Sequence, residues 1–495
     1  MIDNFIAGSL ALFGDPFTIG IFVFGVIGGM LFGAIPGVSM LTLAAILLPF
    51  TASLDPAQGV MLFAVIYCTG TYGGAITAIL FNIPGAPENA PTAFDGYPMT
   101  RKGQSGKAVG AAVLCSAIGG ISSALVMMAA TEPLANWAIS NIGPPEIFAL
   151  VFFGLAVASS VGGRTLWKGW MSVLLGLLIA TIGQDPVGGI NRYNFGFSDL
   201  AAGIAFVPAI LGFFAVSEIF VQAEKKAIGM YEAPKMSVNF PSILELWTHK
   251  IAVARSILVG FFCGILPGIG ATLAAFMGYG EAVRWSKNKE SFGKGNLEGV
   301  ISSETANNAA TGAAMIPLLA LGLPGGALTA MMVAVFQMHD LEPGPLVFYN
   351  SPDLIWIVFA AMFYANVSIL FIGLIETKTI LYLLKIPFQF LAPMILLLAS
   401  IGSYIGRGLV LDVMVMFISG IMGFLLRRSG YSIPGIVLGI ILGKIGEQNF
   451  AQGMQMVHYD LLEYLSRPIC LLLIVAGSLT LLAGIYKALS FSFKS

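Results

Sequence analysis

Apolar runs near the ~20 residues that a bilayer-spanning helix needs recur along the chain. They fall at 57–81, 107–130, 145–161, 165–183 and 204–221 and, after a polar, charged stretch at 222–250, at 299–322, 353–375, 387–405, 408–426, 431–446 and 467–488. The pattern predicts eleven full spans. Two further apolar segments, 17–50 and 251–282, are cut in the middle by Pro-Gly, and their arms are too short to count as two spans each. They predict re-entrant hairpins or broken helices. The apolar stretch 326–338, after Pro324, predicts a half-helix that is a further candidate re-entrant arm.

The two cuts are related. The first reads Gly29-x-x-x-Gly33-x-x-Pro36-Gly37 and the second Gly260-x-x-x-Gly264-x-x-Pro267-Gly268, an offset of 231 residues. Downstream of each lies another Pro-Gly, Ile83-Pro84-Gly85 and Leu323-Pro324-Gly325, offset by 240 because a charged loop at 283–295 is added. A weaker echo pairs 148–159 with 391–402. One Pro-Gly is a kink; a spaced pattern that recurs with its downstream partner is a duplicated half. The halves read as 1–222 and 251–466, joined by a linker at 223–250 and followed by an extra C-terminal span and tail at 467–495.

Loop charges set the orientation, since Lys and Arg favour the cytoplasmic side. Loop 51–56 carries Asp55, whereas its counterpart 283–295 carries Arg284, Lys287, Lys289 and Lys294 against Glu290. Loop 86–107 carries Arg101, Lys102 and Lys107, whereas 339–353 carries Asp340, Glu342 and Asp353. Loop 184–203 has Asp185 and Asp199 around Arg192, and its counterpart has Arg427-Arg428. The sign reverses at matching positions, so the halves are expected in opposite orientations. The N-terminus then lies outside, and the linker and C-terminus inside, with Arg407 alone on the wrong side. The fold class expected is an all-α polytopic membrane protein of two inverted-topology repeats, with eleven full spans and two re-entrant hairpins.

Composition agrees and excludes much else. Charged residues are 10% of 495 and hydrophobic residues 57%, where soluble domains carry about 25% charge, and mean hydropathy is +0.89. The 60 Gly and 25 Pro suit close helix packing and deliberately broken helices. A net charge of −1 argues against nucleic acid as a partner. The four Cys lie far apart without C-x-x-C, the three His show no metal spacing, and neither H-E-x-x-H nor G-x-S-x-G occurs. No metal site, disulfide framework or enzymatic centre is therefore expected. The first 17 residues hold no Lys or Arg, so the first helix reads as retained rather than as a cleaved signal.

Inverted repeats with discontinuous helices place a ligand near the midplane between them. A helix starting at Pro36-Gly37 or Pro267-Gly268 would aim its N-terminal N–H groups inward, an end worth about half a positive charge. Two such ends make an anion site without buried arginine. Ser39 and Thr42 at the first tip and Thr272 at the second add hydroxyl donors. A pair of packing kinks is the plainer reading, weakened by the matched spacing. The most polar stretch in an apolar setting is Ser302 to Gly312, which includes Asn307, Asn308 and Thr311 and matches 66–74, including Thr71, at the offset of 240. Its oxygens suit a hard cation or a carboxylate, against interhelical hydrogen bonding as the plain alternative. Glu304 is left open between an interior role and a solvated one at the surface. Glu218, Asp412, Lys444 and Glu447, near helix ends, read as interface anchors.

The Gly-x-x-x-Gly-x-x-Pro-Gly blocks, the run YGGAITAILFNIPG…AFDGYPM (72–99) and the run ETANNAATGAAMIPLLALGLPG (304–325) resemble the large membrane subunit of the tripartite tricarboxylate transporters, from about residue 20 to residue 450. The resemblance implies cation-driven import of di- or tricarboxylates by an elevator-like movement in the bacterial inner membrane. It also implies two partners, a small four-span membrane subunit and a periplasmic solute-binding protein, with no cofactor beyond Na⁺ or H⁺ as the coupling ion. Substrate contacts are then expected from Pro36, Gly37, Ser39, Pro267, Gly268, Gly270, Thr272, Asn307 and Asn308, and coupling-ion contacts from Thr71, Asn307, Asn308 and Thr311. Ser39 stands where the second tip has Gly270, a departure between the halves that bears on which substrate fits. An anion channel or a structural membrane scaffold are the competing classes.

Overall fold

Two helices buried on all sides form the centre of the molecule. The computed structural model describes residues 1–35, 39–161, 166–185, 187–224, 241–266, 270–383 and 388–492. The first central helix, Pro56–Phe81, starts with Pro56 at its first position and with the Asp55 N–H donating to Gln58 Oε1 at 3.2 Å. Every residue from Gln58 to Leu80 is buried. The second, Leu297–Leu321, is capped by Asn296 Oδ1, which accepts from Glu298 N at 2.9 Å, and is buried from Gly299 to Ala320.

The two helices end alike. Asn82 (φ 57°) and Gly322 (φ 74°) both take the left-handed conformation that closes a helix. The next N–H folds back in both, Ile83 to the Thr77 carbonyl (3.3 Å) and Leu323 to the Pro317 carbonyl (3.1 Å). All three positions are related by the offset of 240.

Each central helix receives one broken arm through small residues, the device that lets helices approach closely where lipid supplies no hydrophobic drive. Pro16–Ala34 lies on the first, and a Cβ at Gly33 would sit on the Gly70 carbonyl oxygen. Lys250–Ile265 lies on the second, and a Cβ at Gly264 would meet the Ala310 carbonyl at 2.6 Å. Gly33 and Gly264 are 231 apart, and Gly70 and Ala310 are 240 apart, so the packing repeats with the sequence. The arms restart as Met40–Leu47 and Gly270–Trp285; Pro36, Gly37, Pro267 and Gly268 themselves lie outside the described residues, as does 225–240 of the linker.

The remaining helices wrap this centre. Ser105–Asn141 crosses the second central helix, where Gly119 meets the Thr305 backbone and Gly312 meets Ser123. Gly120 packs on Asn366 of Pro352–Leu383. Leu166–Ala180 packs on Ile433–Met456 through Gly176 and Gly439, and Phe206–Glu224 on Val410–Arg428 through Gly212 and Gly420. Ala327–Met338, the half-helix after Pro324, is a buried 12-residue element.

Among the described residues seven helices are long and apolar enough to cross a membrane, by length and composition. Pro144–Ser159, Trp167–Ala180 and Ala392–Arg407 are shorter apolar helices. Leu297–Leu321 is long, but Glu304, Asn307 and Asn308 lower its hydropathy. One of the seven, Pro16–Ala34, is the first arm of a segment expected to be re-entrant. The fold is all-α in class; outside the helices, Gly183–Gln184 pairs antiparallel with Asn191–Arg192 in a small hairpin.

Three of the four charges read as interface anchors are ion-paired, two of them to residues distant in the chain. Glu447 takes a two-pronged bond from Arg192 (2.5 and 3.0 Å), Asp412 pairs with Arg407, and Glu218 with Arg427. Arg407, on the wrong side by the loop-charge rule, thus has a carboxylate five residues away.

Candidate functional site

Residues 304, 307, 308 and 311 of the second central helix share one face, since positions three, four and seven apart stack on a helix. All four are fully buried. Glu304, left open by the sequence, is an interior residue. Its carboxylate accepts from the hydroxyls of Thr92 and Ser116 (3.0 Å to the latter) and from Asn307 Nδ2 (3.3 Å). Among the described residues its partners are neutral donors, with no Lys or Arg paired to it. Thr92 reaches it because the loop after Pro84-Gly85 folds back onto the centre, where a Cβ at Gly85 would strike the Gly33 carbonyl.

That loop supplies two more groups. Asn89 Nδ2 donates to the Thr71 carbonyl at 2.8 Å, and the Glu88 carbonyl accepts from Asn307 Nδ2 at 3.2 Å. The buried Glu88 carboxylate accepts from the Thr272 hydroxyl at 3.5 Å. Burial pushes the Glu88 carboxyl upward, against the lowering by its own backbone N–H and Thr272. Asn308 Nδ2 donates to Asn307 Oδ1 (2.8 Å) and to the Glu304 carbonyl (3.1 Å). Thr311 donates to the Asn308 carbonyl at 2.8 Å, and Thr71 to that of Tyr67 at 2.8 Å.

Two acceptors are left over. Asn89 Oδ1 and Asn308 Oδ1 are buried and make no hydrogen bond among the described residues. A buried polar atom without a partner costs roughly 1–3 kcal/mol, which a bound cation or donor would recover. Each oxygen is one bond chain from Glu304, Asn308 through its own amide and Asn89 through the neighbouring Glu88–Asn307 contact.

Both broken-helix restarts border the same turn of the first central helix. Met40, which follows Ser39, fills the space against Gly70, and its Sδ lies 3.8 Å from Thr71 Oγ1. Gly270 (φ 58°) opens the other restart, with the Tyr67 hydroxyl 4.0 Å from where its Cβ would stand and the Gly325 carbonyl at 3.7 Å. Tyr67 and Gly70 are one turn apart, so this turn of the central helix has the first restart against its backbone and the second beside the Tyr67 hydroxyl. Of the expected residues, Asn307, Asn308 and Thr311 cluster directly, Thr71 joins through Asn89, Thr272 through Glu88, and Gly270 through Tyr67. Ser39 caps its helix by its carbonyl, which accepts from Thr42 N at 2.9 Å, and is half-buried. Glu88, Asn89, Thr92 and Ser116 were missed. The run Pro87-Glu88-Asn89-Ala90-Pro91-Thr92, polar beside a Pro-Gly, was the one available signal for the first three; Ser116 had none.

Among the described residues no three His, Cys, Asp or Glu side chains converge as a metal-holding group. The four Cys are buried and free.

A family model described as "Tripartite tricarboxylate transporter TctA family" matches residues 19–438. An Agrobacterium vitis protein described as "Uncharacterized 52.8 kDa protein in TAR-I ttuC' 3'region" is 35% identical over 460 residues, 92% of this chain and 90% of its own length. A second from the same organism, "Uncharacterized protein in TAR-II ttuC' 3'region", is 35% identical over 218 residues, 44% of this chain and 90% of its own. No solved structure matches the chain.

Proposed function

The chain belongs to the tripartite tricarboxylate transporter TctA family, and from that premise we propose that it is the subunit through which organic di- or tricarboxylates enter, driven by a cation gradient. The observation that carries this reading is that the turn Tyr67–Thr71 carries Met40 of one restart at Gly70 and the Tyr67 hydroxyl near Gly270 of the other, with the orphaned oxygens of Asn89 and Asn308 in the polar cluster joined to it. Helix starts favour an anion and neutral oxygens favour a cation. Held side by side, each lowers the other's cost of leaving water, so binding of one tightens the other. The cation is Na⁺ in this reading, held by Asn308, Asn89 and the Glu304 carboxylate. A proton on Glu304 is the second reading, favoured by the absence of a described basic partner.

The duplicated contacts at offsets of 231 and 240 support two halves, 1–222 and 251–466, related by a pseudo-two-fold axis in the membrane plane. Reversed loop charges support opposite orientations, with the N-terminus periplasmic and the C-terminus cytoplasmic in the inner membrane. Rigid movement of the tip-bearing elements past the rest would give an elevator-like cycle. A four-span membrane subunit and a periplasmic binding protein complete the system, so uptake is expected only when all three proteins are expressed together. Uptake unchanged without the binding protein would remove that part of the proposal.

Topology is tested by labelling Arg101→Cys, Lys289→Cys and Glu342→Cys, all at exposed positions, over a background of four buried native cysteines. Positions 101 and 289 are expected to react from the cytoplasmic side and 342 from outside. Positions 101 and 342 reacting from the same side would sink the inverted arrangement.

A further inference from the structure

At the end of the molecule that carries Lys102, Lys287, Lys289 and Lys294, a cavity of about 1000 Å³ opens between the start of Lys250–Ile265, the loop 286–296 and the start of Leu297–Leu321. Lys107, Arg255, Lys287 and His249 line it, against the single carboxylate of Glu298 among its described lining residues. Lys107 is already paired with Glu245. Among the described residues Arg255 has no ion pair: its Nε is buried without a hydrogen-bond partner, and its guanidinium lies 5.8 Å from the Trp285 ring centre. A guanidinium with a spare buried N–H, lining the same cavity as Lys287, is a seat for an oxyanion.

The surface below the cavity says which anion. Ile251, Arg255, Leu258 and Phe262 stand at helix positions 0, 4, 7 and 11, one face of Lys250–Ile265. The three apolar members are exposed, as are Trp285, which lines the cavity, and Trp247, next in sequence to the lining residue Thr248. Lys250 lies 5.0 Å over the Trp247 ring and Arg284 5.9 Å from that of Trp285. Aromatic rings with cations above them mark the headgroup level of a bilayer. A soluble anion would use the charges and leave the stripe idle; a lipid uses both.

We propose that this cavity holds the headgroup of an acidic phospholipid, with the phosphate on Arg255 and Lys287 and one acyl chain along Leu258 and Phe262. The cavity is roomy enough for a glycerophosphate headgroup, and the net positive lining selects acidic over zwitterionic lipid. The site is separate from the Glu304 centre and does not depend on which solute is carried.

Native mass spectrometry of the full chain in mild detergent tests this, titrating phosphatidylglycerol or phosphatidylcholine with the same acyl chains. Phosphatidylglycerol is expected to stay bound and phosphatidylcholine to leave. Arg255→Gln and Lys287→Gln should each weaken phosphatidylglycerol binding roughly fivefold, the worth of one basic residue at an acidic lipid surface. Lys287 is exposed, so its variant keeps the test alive if Arg255→Gln disturbs folding, which size-exclusion would reveal. Equal retention of the two lipids, or unchanged binding in both variants, overturns the proposal. Displacement of the lipid by equimolar glycerol 3-phosphate, which lacks acyl chains, would also overturn it in favour of a soluble anion.

Discussion

Glu304→Gln is expected to cut carboxylate uptake by about two orders of magnitude, with the protein still folded and inserted. The substitution keeps shape, so Thr92, Ser116 and Asn307 keep a neighbour of the same size. It removes the charge, and a cation about 4 Å from a carboxylate at an effective dielectric near 20 gains about 4 kcal/mol. Losing most of that gain raises the Na⁺ concentration needed for half-maximal uptake far beyond reach. Initial rates against Na⁺ concentration at fixed pH check this. Asn308→Ala, which deletes an orphaned oxygen, should shift the Na⁺ dependence less, because a neutral ligand contributes less than a charged one. The proton reading gives a different outcome: Glu304→Gln flattens the pH profile of uptake and leaves Na⁺ without effect.

The second large effect is structural. Gly33→Ala and Gly264→Ala should each destabilise the folded protein by about 3 kcal/mol, at or above the upper range for overpacking, because the added carbon meets backbone. At Gly33 the obstacles are the carbonyl and Cα of Gly70, and at Gly264 the carbonyl of Ala310; none can turn aside as a side-chain tip can. Gly20→Ala in the same helix as Gly33 is the control. It has open space around its Cβ position and should gain stability by up to about 1 kcal/mol from helix propensity. Thermal loss of the monodisperse size-exclusion peak reads all three. Equal stability of Gly33→Ala and Gly20→Ala would mean that the arm does not rest on the central helix.

What the sequence made legible was whatever repeats. The Pro-Gly cuts, the spacing of Gly29 and Gly33 against Gly260 and Gly264, and the downstream Pro84 and Pro324 all carry fixed offsets, and the helices start and stop beside them. Backbone approach leaves such marks because only glycine permits it. Side chains that meet through folding leave none. Thr92 and Ser116 reach Glu304 from 212 and 188 residues away, and nothing local distinguishes Ser116 from other small residues of its helix. Glu304 itself was ambiguous because a carboxylate in an apolar run is equally consistent with a helix end at the surface and with an interior site. Its three neutral donors decide the matter, and they come largely from the other half of the chain. The charges read as anchors were ambiguous for the same reason: Glu447 finds Arg192 across 255 residues. Apolar length alone does not separate a crossing helix from a short packed one, which is why eleven apolar runs and seven candidate helices among the described residues do not match one to one.

The most direct test is uptake into proteoliposomes holding this chain with its membrane partner, supplied with the binding protein and a panel of labelled mono-, di- and tricarboxylates under an imposed inward Na⁺ gradient. The expected result is uptake of a di- or tricarboxylate above its equilibrium level that collapses when the Na⁺ gradient is dissipated. Uptake driven by an inward proton gradient and indifferent to Na⁺ would make a proton on Glu304 the coupling ion. No accumulation of any carboxylate under either gradient would contradict the account as a whole.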